Sequence, residues 1–321
     1  MQLQFLGTGA GMPSKTRNVT SIALNLLNEC GEIWLFDCGE ATQHQILHTS
    51  IRPRKITKIF ITHLHGDHIF GLPGFLSSRS FFSGEDTLTI YGPKGVQQFI
   101  QMAIQISKTH LTYPIEFVEI AEGVVFEDKK FVVKAKKLAH VVDCYGYRVE
   151  QKPLPGTLLI DKAVALGVPK GPLLRDLKNG IDVTLEDGTI VFSRDVVSEA
   201  KEGFIITILG DTKYCDASIE LSKNATIVVH EATFNHATED LAANYGHATN
   251  VEAAKVAELA NANYLILTHI SARFLASDIQ ALLEEAQKIF LRTFIAEDFA
   301  TFEWKNNEVI YHNENAYKFT P

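Results

Sequence analysis

KIFITHLHGDH, residues 58–68, joins an apolar, β-branched run to three histidines and an aspartate. The run from 55 to 61 reads as a buried strand. His63, His65, Asp67 and His68 therefore fall where that strand ends. Four groups so costly to dehydrate call for a common partner. On extended backbone, residues i and i+2 point the same way, so His63 and His65 can reach one ion. Asp67 and His68 lie on the following turn and face a second position. Imidazole and carboxylate suit Zn²⁺ and also accept Mn²⁺ or Co²⁺.

Four ligands from one loop cannot close two ion sites and leave room for a substrate. Three more donors stand in equivalent places, each ending an apolar strand: His140 (KLAH), Asp211 (ILGD) and His269 (ILTH). Strand-end ligands converge on one edge of a sheet. Asp211 is the natural bridge, because its two oxygens can hold two ions about 3.5–4 Å apart. His44, His48, His110, His236 and His312 lack a partner motif and read as ordinary residues.

Working outward, further strand-like runs recur at 3–9, 21–27, 33–39, 87–93, 115–120, 131–140, 145–150, 204–211, 226–232 and 264–269. Helical spacing marks 95–107, 250–262 and 277–290, the last with Ser277 or Asp278 as its expected N-cap. This order predicts an α/β fold of two mixed sheets packed together with helices outside. The proline- and glycine-rich stretch 152–195 interrupts the pattern and reads as an inserted arm, not a domain. The 321 residues are 46% hydrophobic and 21% charged, enough for a sizeable core. The apolar runs are strand-length, which excludes a membrane span, and the first residues lack a signal-peptide pattern. Cys30, Cys38, Cys144 and Cys215 form no CxxC pair, so a reducing, cytoplasmic setting is expected. A net charge of −8 argues against a nucleic-acid partner unless basic groups cluster locally.

Three motifs bear on such clusters and on the chemistry. PSKTRN (13–18) follows the Gly-rich GTGAG, and Lys15 and Arg17 offer phosphate donors. HEAT (230–233) and GHAT (246–249) supply Glu231 and His247, a carboxylate to orient an imidazole as proton donor. GPLLRDLKNG (171–180) centres the arm; from Lys162 to Lys178 it carries Lys162, Lys170, Arg175 and Lys178 against a single acid, Asp176, while over the whole of 152–195 basic and acidic residues balance. RPRK (52–55) could add to a basic patch.

HLHGDH with its three downstream donors resembles the metallo-β-lactamase superfamily. That implies a four-layer αββα sandwich holding two Zn²⁺ per subunit. His63, His65 and His140 would hold one ion, Asp67, His68 and His269 the other, with Asp211 bridging. From FLGTGAGMPSKTRN through HEAT and GHAT to LTHISAR (267–273), the chain is similar to the short-form ribonuclease Z family. The resemblance implies one domain over 1–321 with 152–195 as an inserted tRNA-binding arm. It implies a homodimer that cuts the 3′ trailer from precursor tRNA after the discriminator nucleotide, leaving a tRNA 3′-hydroxyl and a trailer 5′-phosphate. Asp67 would be general base, and His247, oriented by Glu231, would protonate the departing oxygen. Lys15, Arg17 and Asn18 would hold the 3′ end; Gly171, Pro172, Arg175 and Lys178 would meet the tRNA. The rival readings are a small-molecule phosphodiesterase or arylsulfatase on the same scaffold, and a non-catalytic RNA-binding homologue.

Overall fold

A computed structural model describes residues 1–82 and 86–312. The chain divides into two compact units: residues 1–127, 132–149 and 205 onward, and a smaller one of 128–131 and 150–204.

The larger unit holds two mixed sheets. In the eight-stranded sheet, Gln2–Gly7 lies between Thr301–Lys305 and Ser21–Leu26, and Glu32–Phe36, Ile56–Phe60, Leu88–Gly92 and Ile115–Glu119 follow in parallel. Ile205–Ile208, Ile227–Glu231, Tyr264–Thr268 and Thr293–Ile295 form the parallel side of the seven-stranded sheet.

Strand alternation assigns the layers. Ile33, Leu35, Ile59 and Ile61 pack with Phe75 and Leu76 of the helix Leu72–Arg79 and with Ile100 of Val96–Ser107. Trp34, Phe36 and Phe60 point the other way and meet Phe126 and Tyr147 of the second sheet. That sheet's other face packs Val228, Leu265 and Leu267 against Ala253 and Ala257 of Asn250–Leu259 and Leu282 of Ala276–Gln287. Helix, sheet, sheet, helix is the expected order. Strands covered on both faces read as continuous apolar runs, which is why they are plain in the sequence.

The expected N-cap of the last long helix differs. Leu275 is the N-cap, and Asp278 is the third helical residue, its carboxylate accepting from the Leu275 N–H at 2.7 Å. A side chain reaching back from that position satisfies an orphan donor as well as a cap does.

The smaller unit has its own apolar cluster: Ala163, Val168, Leu177, Val183, Val191 and Val196. Its helix Pro172–Lys178 starts at Pro172 after Gly171 and turns Leu177 inward, with Arg175 and Lys178 outward.

Candidate metal centre and its proton donor

Six carboxylates and imidazoles sit at or just past the carboxyl ends of sheet strands. Asp37 follows Glu32–Phe36, His63 follows Ile56–Phe60 and His140 follows Phe131–Lys137. Asp211 follows Ile205–Ile208, Glu231 ends Ile227–Glu231, and His269 follows Tyr264–Thr268. His65 is the last extended residue before the one-turn helix Gly66–Ile69, which carries Asp67 and His68. Glycines let this loop lie close: a Cβ on Gly71 would stand 1.9 Å from the Gly39 carbonyl oxygen. Asp37 and His269 both take left-handed backbone, φ 56° and 55°. Bulky residues hold that conformation only where surroundings enforce it, and such strain gathers at functional sites.

All seven sequence-predicted donors meet. His63, His65, His140 and Asp211 form one group of mutually close ligand atoms, and Asp67, His68 and His269 a second. In the first, His63 Nε2 is 3.0 Å from His65 Nδ1, His140 Nε2 is 3.3 Å from His65 Nδ1, and Asp211 Oδ2 is 3.6 Å from His63 Nε2. In the second, His269 Nε2 is 3.3 Å from both His68 Nε2 and Asp67 Oδ2. Asp211 faces both groups, its Oδ1 3.5 Å from His68 Nε2 and its Oδ2 3.5 Å from His269 Nε2. Donors about 2.0–2.1 Å from a tetrahedral Zn²⁺ lie roughly 3.3–3.4 Å from each other, so the spacing fits such ions.

The outer ring nitrogens are committed. His68 Nδ1 donates to Asp37 Oδ2 at 2.7 Å, and His140 Nδ1 to the Gly246 carbonyl at 2.6 Å. Thr62 Oγ1 meets His63 Nδ1 at 3.0 Å, and Thr233 Oγ1 meets His269 Nδ1 at 2.7 Å. His68, whose Nδ1 donates to Asp37, brings its Nε2 within 3.3 Å of His269 Nε2, a spacing suited to a shared cation or a shared proton. Burial opposes charge on His68, but Asp211 and Asp37 hold its pKa well above the usual histidine range. Burial, then His68, push His63 the other way, down to about 2. His269 and His68 hold the Asp67 carboxyl well below the usual carboxylate range against the opposing effect of burial. The Gly11 N–H also donates to Asp67 Oδ2, at 2.8 Å.

Beside this cluster, His247 Nδ1 lies 2.9 Å from Glu231 Oε1, and its ring stacks on that of His269. Its Nε2 makes no hydrogen bond to the described residues. Burial disfavours charge on His247, but Glu231 and then Asp211 overcome it and raise the pKa to about 9. Glu231 is buried and accepts four donors, from Thr212, Thr233 (twice) and His247. Glu231 and His247 are thus paired in the structure.

The PSKTRN loop is less open than its charges suggest. Lys15 is exposed, but Arg17 turns inward, Nη1 donating to Thr8 Oγ1 at 2.7 Å and the Ala296 carbonyl at 2.6 Å. The Asn18 N–H donates to Asp298 Oδ2, and its side-chain amide to the Glu40 carbonyl. Asp298, Asp37, Thr62 and Thr233 escape notice in the sequence. Asp37 alone carried a usable signal, since IWLFD ends an apolar strand in a carboxylate just as ILGD does.

The sequence matches the family described as anti-Pycsar protein Apyc1 over residues 1–155, which includes the HLHGDH loop and His140 but not Asp211, Glu231, His247 or His269. It is 56% identical to ribonuclease Z of Bacillus mycoides over 94% of this chain and 99% of that protein. Its fold is similar to human tRNase Z, short form, at 32% identity and TM-score 0.68, covering 94% of this chain and 99% of that one. The metallo-β-lactamase fold protein YhfI from Bacillus subtilis superposes with TM-score 0.65 at 20% identity, covering 94% and 98%. The architecture is therefore the metallo-β-lactamase fold that the HLHGDH motif led us to expect.

Proposed function

The chain belongs to the ribonuclease Z family, and from that premise we propose how its residues act in tRNA 3′ processing. It is a hydrolase, a metal-dependent endoribonuclease. We assign one Zn²⁺ to His63, His65 and His140, a second to Asp67, His68 and His269, and the bridging place to Asp211. When bound, such ions make water acidic enough to attack at neutral pH and offset charge on the phosphoryl oxygens.

The chain's own groups do the rest. Asp67 serves as a ligand and, in this reading, as the general base that takes the water's proton. His247, its pKa raised to about 9 by Glu231 and then Asp211 against burial, gives its proton to the 3′-oxygen leaving the trailer phosphate. Glu231 keeps that imidazole oriented and steadies its charge. The cut falls after the discriminator nucleotide, leaving a tRNA 3′-hydroxyl and a trailer 5′-phosphate. Lys15 meets the phosphate at the 3′ end, while Arg17 and Asn18 hold the loop that presents it.

We assign tRNA gripping to 152–195, through Gly171, Pro172, Arg175 and Lys178. Within it only 162–178 is locally basic, with Lys162, Lys170, Arg175 and Lys178 against Asp176, which is where an acidic chain could meet a polyanion. A homodimer is the proposed assembly. Leu47, Phe70, Phe81, Met102 and Ile106, on or beside the helices over the first sheet, are 65%, 61%, 85%, 50% and 74% exposed, an apolar layer that a second copy would cover. The cysteine spacing, with no CxxC pair, fits action in the cytoplasm.

The two groups of close donor atoms that Asp211 faces, with the Glu231–His247 pair beside them, carry this reading. End-labelled precursor tRNA, incubated with and without chelator, tests it. One chelator-sensitive cut at the discriminator is the expected result; unspecific decay or no cut would overturn it.

A further inference from the structure

The two buried carboxylates behind the centre are wired alike. Asp37 holds His68 directly, and Oδ2 also accepts from Thr62 Oγ1 at 2.8 Å. Thr62 Oγ1 in turn lies 3.0 Å from His63 Nδ1. Glu231 holds His247 directly, and Oε2 accepts from Thr233 Oγ1 at 2.5 Å. Thr233 Oγ1 in turn lies 2.7 Å from His269 Nδ1. Each carboxylate thus grips one imidazole itself and a second through a threonine hydroxyl.

A hydroxyl has one hydrogen to give. An ionised carboxylate can only accept, so each threonine gives its hydrogen to the acid. Its oxygen can then only accept from the ring. That forces Nδ1–H on His63 and His269 and leaves their Nε2 lone pairs for an ion. The His269 carbonyl, 3.1 Å from Thr233 Oγ1, competes for the same hydrogen but at longer range. Both threonines are almost wholly buried, so water has little access to replace either hydroxyl.

We propose that Thr62 and Thr233 are positioning residues. Each relays the polarity of a buried carboxylate to a metal-donor imidazole and fixes its tautomer. Thr233 does more: through Glu231 it joins a ligand of one ion to the proton donor His247. The inference rests on the metal reading above and deepens it. Outer partners of this kind commonly change metal affinity about 10–100-fold.

The test uses the full-length chain, with Zn²⁺ affinity measured by chelator competition. Thr62→Val and Thr233→Val keep the shape and remove the hydroxyl; Thr62→Ser and Thr233→Ser restore it. We expect each valine variant to lose about 10–100-fold in affinity for one ion, and each serine variant to recover it. Imidazole ¹⁵N spectra of the unmutated, metal-free chain at alkaline pH should show Nδ1–H on His63 and His269. These spectra decide the matter even if a valine variant fails to fold. Valine variants that bind Zn²⁺ like the parent, or Nε2–H tautomers in the parent, overturn the relay and leave the metal reading standing. A parent that binds no Zn²⁺ overturns the metal reading itself, and the relay with it.

Discussion

In the proposed scheme His247 gives a proton and holds no ion. Against burial, Glu231 and then Asp211 raise its pKa to about 9, and its Nδ1 lies 2.9 Å from Glu231 Oε1 and 3.8 Å from Asp211 Oδ2. His247→Ala should therefore retain its ions by elemental analysis and slow cleavage about 10²–10⁴-fold. Equal loss of ions and rate would make it a ligand instead. Asp298 makes a different residue-scale prediction. Burial raises its carboxyl to about 6, only partly offset by Asn18, Thr8 and Arg17. Because the folded pKa exceeds the unfolded one, its contribution to stability is whole below about pH 4 and is lost as pH rises through 6. The loss is at most about 3 kcal/mol. Asp298→Asn removes that titration, so the stability gap between parent and variant, read from urea midpoints, should narrow between pH 4.5 and 7.5. A constant gap would refute the assignment. What the sequence revealed divides at this same scale. Ligands that end apolar strands announce themselves. Thr62 and Thr233 do not, because a hydroxyl supporting a histidine from behind looks like any other threonine. Arg17 misled for a similar reason: its partners Thr8 and Ala296 lie nine and 279 positions away, and only folding makes them neighbours.

The elements that carry the site are short and well defined at their starts. Helix Asn250–Leu259 begins two residues after the His247 loop closes. Thr249 caps it by accepting from the Glu252 N–H, while Glu252 accepts from the Thr249 N–H at 2.8 Å. Thr249→Ala should cost about 1 kcal/mol in denaturant unfolding. It should also lower cleavage more than metal content, since the cap anchors the chain beside the proton donor. An unchanged rate would show that the His247 loop is held without the cap. The strands were legible because parallel strands covered on both faces need unbroken apolar runs. The start of helix Ala276–Gln287 was not, because Asp278 satisfies the same backbone donor from inside the helix that a capping residue would satisfy from outside.

For the whole molecule, catalysis and substrate grip are assigned to different units. Every donor of the metal centre, with Glu231 and His247, belongs to the larger unit, and 152–195 falls in the smaller. Deleting 155–190 should spare hydrolysis of a small phosphodiester such as bis(p-nitrophenyl) phosphate while abolishing cleavage of precursor tRNA. A parallel fall in both would make the segment structural. Composition could not have foretold this division, since a net charge averages over surfaces that meet different partners.

The donors come from both sheets: His63, His65, Asp67 and His68 from one, His140, Asp211 and His269 from the other. Any ion held there acts as a rivet through the seam of the sandwich. At a free ion concentration a thousandfold above the dissociation constant, one such rivet adds about 4 kcal/mol against unfolding. Stripping the ions should therefore speed amide hydrogen exchange first along the rim where the two sheets meet, leaving the aromatic interior around Trp34 and Tyr147 protected longest.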